Sequence, residues 1–145
     1  MKHLFSILFL FAVIGVKAQD GSFTLKLNGK LVVQGPISMR TIIKPTAVTQ
    51  KQLQPGGKIQ LTVKDAASNP GWKRIFVLAD EQGNEIKTME KNMVNGTYDW
   101  NITGLKDILK KYKKVAVHTY SIPVDEQQAA LVRVMRFQLC TLELK

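Results

Sequence analysis

The sequence predicts an all-β fold: a two-sheet antiparallel sandwich of seven to nine strands with one short helix, behind a signal peptide. Three observations carry that prediction. Alternating or β-branched runs recur along the chain, with turn chemistry between them roughly every eight to twelve residues. Residues 104–112 switch to helical spacing, with Leu105, Ile108, Leu109 and Tyr112 at i, i+3, i+4 and i+7. So short a helix is not stable alone, and its apolar stripe must close the open end of a sheet pair.

At the start, Met1, Lys2 and His3 are a small basic segment, and residues 4–16 are mostly apolar. Val16 and Ala18 put small residues where a signal peptidase reads, so export with cleavage near Ala18-Gln19 is expected. Residues 1–18 are then the signal peptide and 19–145 one β-sandwich domain, secreted or periplasmic. The apolar run is shorter than the roughly 20 residues a bilayer span needs, so no membrane span is expected in the mature chain. Removing Lys2 and Lys17 from the 21 basic residues leaves 19 against 11 acidic ones, a net charge of +8. That excess favours anionic partners, such as envelope phosphates, acidic glycans or an acidic protein face. No nucleic-acid motif accompanies it. Cys140 is the only cysteine, so no disulfide within the chain is possible, and it reads as a small buried hydrophobe or an intermolecular thiol.

Phe23, Leu25 and Leu27 alternate with polar residues as a first half-buried strand, and Asn28-Gly29 is a strong hairpin turn leading to Leu31, Val32 and Val33. Gly35-Pro36 punctuates before another extended run at 39–43; residues 45–55 read as an irregular crossover. Ile59, Leu61 and Val63 face one way and Gln60, Thr62 and Lys64 the other, as an antiparallel strand between core and water requires. After a polar loop at 65–71, residues 72–79 are apolar on both faces and read as a central strand. A turn at 80–84 returns the chain as 85–93, where Lys87 and Lys91 suit an exposed edge. Asn95-Gly96 turns into a strand at 97–102, then the helix, a strand at 115–121 and a long last strand at 130–144. That last run breaks alternation twice, which predicts bulges near Val134-Met135 and Cys140-Thr141.

Taken together, residues 23–144 resemble an immunoglobulin-like sandwich. Trp72, in Asn69-Pro70-Gly71-Trp72, looks like the tryptophan of the central third strand, and residues 104–109 look like the helical turn before the sixth. The sandwich-bridging cysteine pair is missing, so the resemblance implies no antibody-type family, and it is one of architecture.

Function is less legible. The mature chain has one histidine, His118, and facing strands could bring it to Cys140 as a nucleophile–base pair in a small hydrolase-type enzyme. No Gly-rich nucleophile turn accompanies that pair, and a hydrogen-bonded strand histidine is the plainer reading. Residues 80–85 offer oxygen ligands without calcium-loop spacing, so no metal or cofactor is expected. Lys110, Lys111, Lys113 and Lys114 surround Tyr112 and are the candidate anion-binding residues; the bland alternative is a solvated helix end that complements the helix dipole. Asn95-Gly96-Thr97 and Asn101-Ile102-Thr103 match the glycosylation pattern. The loops at the other pole (65–71, 92–96, 122–129) are polar and generic, and Trp72, Tyr98 and Trp100 read as core. The expectation is a non-catalytic exported module that binds an envelope or extracellular protein or glycan, with polyanion binding as the alternative.

Overall fold

The computed structural model describes residues 21–38, 43–54, 57–65 and 70–145, without the side chains of residues 102 and 103. The expected signal peptide and most of the extended run at 39–43 lie outside the described residues. In chain order the elements are β1 (Gly21–Leu27), β2 (Lys30–Ile37), β3 (Pro45–Val48), β4 (Lys58–Lys64), β5 (Trp72–Ala79) and β6 (Glu85–Lys91). They continue with β7 (Gly96–Asn101), α1 (Ile102–Tyr112), β8 (Lys114–Pro123), α2 (Glu126–Ala129) and β9 (Phe137–Leu144). One sheet has the order β2-β1-β4-β7 and the other β3-β9-β8-β5-β6.

The four-stranded sheet is antiparallel throughout, and its β1–β2 hairpin turns at Asn28 and Gly29, both at positive φ. The five-stranded sheet is mixed, which corrects the wholly antiparallel expectation: β3 pairs with β9 in parallel, from Pro45↔Thr141 to Val48↔Leu144. A crossover, not a hairpin, delivers β3 to that edge, so no tight turn forces it to run against its neighbour. β3 also places a strand inside the stretch that reads as irregular from sequence. With four residues and a proline at its start, it is too short for periodicity to reveal.

Phe23, Leu25, Leu27, Ile59, Leu61 and Val63 face Phe76, Leu78, Val115, Val117, Leu139 and Leu142 across the sandwich. Tyr98 joins them, its ring edge-on to Phe76 at 4.7 Å. α1 is the predicted lid, two residues longer at its start than the spacing suggests: Leu105 and Leu109 are buried, and Ile108 and Tyr112 pack at the margin. β5 is the expected central strand, paired on both sides and apolar on both faces, and β6 with Lys87 and Lys91 is an edge.

Two expectations for the last strands need correction. Residues 130–136 are not strand. α2 and an irregular segment replace them, and β9 begins only at Phe137. The breaks in alternation at Arg133 and Arg136 therefore mark unpaired chain and not a bulge. The second predicted bulge exists one residue early: Val117 pairs with Cys140 and His118 with Gln138, which leaves Leu139 as the extra residue. Trp72, in turn, is not in the core. It is half-buried at the start of β5, where it pairs with Pro123, and Phe76 holds the core centre on that strand.

Candidate functional site

Consider first the predicted chemical pair. On β8, Val115, Val117 and Thr119 point into the sandwich, so His118 lies on the outer face. Cys140 sits opposite Val117 and is buried in the core. His118 and Cys140 thus occupy opposite faces of one sheet, and no nucleophile–base contact forms between them. Burial pushes the Cys140 thiol up to about 12, which keeps it protonated and unreactive.

His118 instead lines an open groove of about 390 Å3 on the outer face, with Lys114, Gln138, Thr141 and Asp80 among its walls. Gln138 Nε2 donates to Thr141 Oγ1 at 2.8 Å, and Lys114 Nζ reaches Glu81 Oε1 at 3.3 Å. Partial burial holds His118 below the ordinary histidine range, Arg136 adds to that, and Glu85 opposes it. Arg136 precedes β9 and Glu85 opens β6, so their 2.9 Å ion pair spans the two strands, β8 and β5, that lie between. Asp80 is committed to its own turn: it accepts from the Asn84 side chain at 2.9 Å and from the Asn84 and Gln82 backbone amides at 2.8 and 3.0 Å, which lowers its pKa. Among the described residues, no group of three or more His, Cys, Asp or Glu could hold a metal ion.

The predicted lysine run divides. Lys110, Lys111 and Lys113 are exposed at the C-terminus of α1, where their charge complements the helix dipole. Lys111 Nζ lies 5.0 Å from the Tyr112 ring centroid, within cation–π range. Lys113 ends the helix in the left-handed region at φ 63, and its N–H returns to Leu109 O at 2.9 Å. Lys114 already belongs to β8 and to the acidic turn through Glu81.

At the opposite end lies what the sequence reading missed. Arg74 is 1% exposed, with three acceptors: Val94 O at 2.7 Å, Thr119 Oγ1 at 3.1 Å and Asp65 Oδ2 at 2.8 Å. The Thr119 hydroxyl donates in turn to Ile75 O, and Asp65 and Asn95 exchange two hydrogen bonds through the Asn95 side chain. Val124 N donates to Gly71 O, so the β4–β5, β6–β7 and β8–β9 connections form one end. Outside that polar interior the β8–β9 connection exposes apolar side chains. Leu131 is 86% exposed, Met135 52%, and Val124 and Val134 are nearly half exposed, as is Met93 on the β6–β7 connection. Residues 130–135 go unnoticed from sequence because β-branched composition assigns them to a strand. The signal that could separate them is Asp125 followed by Gln128, a helix-start pattern; Asp125 Oδ1 does accept from Gln128 N at 2.9 Å.

No helix among the described residues is long and apolar enough to cross a membrane. Compared with known families and curated proteins, the chain matches no family model and no curated sequence.

Proposed function

We propose that this chain is an exported, non-catalytic module of immunoglobulin-like order that binds another extracellular or envelope protein through its β8–β9 connection. The observation that carries the proposal is the apolar surface of Leu131, Val134, Met135 and Val124, clustered in sequence on a segment anchored at Gly71 and at β9. Exposed apolar side chains on one loop of a rigid sandwich are costly to leave in water, and a partner surface would cover them. Arg133, exposed among them, supplies the charged rim such interfaces use. The immunoglobulin-like order is supported by β1, β4 and β7 facing β9, β8 and β5, with a helix between β7 and β8. The hydrolase reading loses its motivation once His118 and Cys140 face apart.

The test is site-specific photo-crosslinking on the native cell surface. A photoreactive residue in place of Leu131 should give one discrete adduct, and one in place of Thr88, exposed on β6, should give none. The double variant Leu131→Asp, Met135→Asp should weaken that partner's binding at least about tenfold while leaving the melting temperature nearly unchanged. Equal adducts from both positions, or binding indifferent to the double variant, would refute the proposal. Export itself is checked by the mass of the mature chain, which should begin at Gln19.

A further inference from the structure

The end capped by α1 gathers more cations than the lysine run alone. A chain of backbone and side-chain hydrogen bonds brings them together. Lys113 O accepts from Leu144 N, and Val48 O accepts from Lys145 N, so the ends of β9 and β3 meet the end of the helix. β3 leads into a turn at 49–53, where Gln52 O accepts from Asn28 Nδ2, and Asn28 Oδ1 accepts from Lys58 N. Gly57, with no Cβ, leaves room for the Asn28 side chain between them. Exposed Lys30, Lys51 and Lys58 therefore share one end of the sandwich with exposed Lys110, Lys111 and Lys113. The carboxylates at this end, among the described residues, are Asp107 on α1, Asp99 on β7, Glu143 on β9 and Asp80, Glu81 and Glu85 around the β5–β6 turn. Asp80 is tied into its own turn, Glu81 is engaged with Lys114 and Glu85 with Arg136.

A second observation lies at the same end. Trp100 is half-buried near the end of β7 and lines an open hollow of about 280 Å3 with Gly57, Lys58, Asp99 and Asn101. The indole packs against the core, 6.3 Å from the Phe76 ring between centroids. The part of it that lines the hollow can stack on a sugar ring while Lys58 pairs with the sugar's acid group and Asn101 with a hydroxyl; the Asp99 carboxylate opposes the acid group. The charges are spread over four elements and do not converge on one point, so they fit an extended chain of repeated charges better than a small anion. Of the large apolar side chains exposed on the described residues, only Leu31 sits here, so little would insert into a bilayer.

We infer that the α1 end is a binding site for an acidic polysaccharide, with Trp100 as the sugar platform and Lys30, Lys51, Lys58, Lys110, Lys111 and Lys113 as the anion contacts. The site is separate from the β8–β9 surface, and either can fail without the other.

The experiment titrates the mature chain with polygalacturonate oligomers, linear polyphosphate and vesicles of anionic lipid at matched charge. Three triple lysine variants carry the same loss of charge. Lys30→Gln, Lys51→Gln, Lys58→Gln and Lys110→Gln, Lys111→Gln, Lys113→Gln should each weaken polygalacturonate binding at least about tenfold and lower its salt dependence by on the order of two to three counterions. The control Lys64→Gln, Lys73→Gln, Lys91→Gln should leave both unchanged. In a Trp72→Phe background, polygalacturonate should change Trp100 fluorescence and polyphosphate should not. Equal weakening by the control would reduce the effect to net charge and overturn the inference. So would equal binding of polyphosphate or vesicles with Trp100 silent. Matching thermal melts for the three variants exclude unfolding as the cause.

Discussion

The two ends of this sandwich close the same gap between sheets with opposite materials. At the helix end, Leu105 and Leu109 fill the opening, and the charge stays outside on Lys110, Lys111 and Lys113. At the loop end, a guanidinium with three acceptors fills the interior, and the apolar side chains of Leu131, Val134 and Met135 stay outside. The first arrangement is the usual one for a water-soluble domain, and the second inverts it. The difference teaches where stability and recognition reside. Loop-end interior residues should register in the melting temperature, and helix-end lysines should register in binding.

Arg74→Ala is the strongest way to break that comparison. It leaves Val94 O and Thr119 Oγ1 without their donor and Asp65 without its cation. Asp65 is partly solvated, at 30% side-chain exposure, which softens the loss. A cost of about 3 kcal/mol is expected, a fall of roughly 10 °C in melting temperature, read by thermal circular dichroism. Arg74→Lys keeps the charge without the three-way fork and should fall between Ala and the native chain. Polysaccharide binding at 25 °C should be unaffected by either. A melting temperature for Arg74→Ala within about 2 °C of native would mean that apolar packing, and not the polar interior, closes the loop end.

The same contrast explains which parts could be read from sequence. The core of β1, β4 and β8 and the stripe of α1 follow from period-two and period-3.6 patterns, which report burial on one face. The Arg74 network leaves no such trace. An arginine between Lys73 and Ile75 looks like the polar side of a strand, and its acceptors lie at separations of 9, 20 and 45 residues. Trp72 shows the converse: a large aromatic in a strand pattern reads as core, yet its position at the strand's first residue leaves it half-buried. The basic end is legible only in part. Lys110, Lys111 and Lys113 are contiguous, but Lys30, Lys51 and Lys58 join them only through the turns that Asn28 and Gln52 tie together.

Between the two ends lies His118, whose titration supplies a smaller test. Its folded pKa is below its unfolded value, because burial and Arg136 disfavour the imidazolium. The unfolded chain therefore binds more protons as pH falls. Stability from this site is fully present above about 6.5 and is lost as pH drops from there toward the folded pKa. The slope is bounded at about 1.4 kcal/mol per pH unit for one proton. His118→Gln should flatten the stability profile below about pH 6.5, measured by urea denaturation across a pH series, before carboxylates begin to titrate. Glu85→Gln removes the one cause that favours the cation and should steepen the native slope. A profile unchanged by His118→Gln would show that the groove is as wet as bulk solvent.

The smallest effect expected separates charge from strain at a single residue. Lys113 holds φ 63, where a Cβ costs about 1 kcal/mol and glycine costs nothing sterically. Lys113→Gly should therefore raise stability by at most about 0.5 kcal/mol after allowing for the greater freedom of the unfolded chain. Lys113→Gln keeps the strain, removes the same charge and should leave stability nearly unchanged. Polysaccharide affinity should fall by the same modest factor in both, since both lose one cation. Equal stability in the two variants would mean the helix end relaxes around the side chain. Stabilisation by glycine together with weakened binding would place Lys113 where the fold accepts a strained cap and gains a charge on its surface.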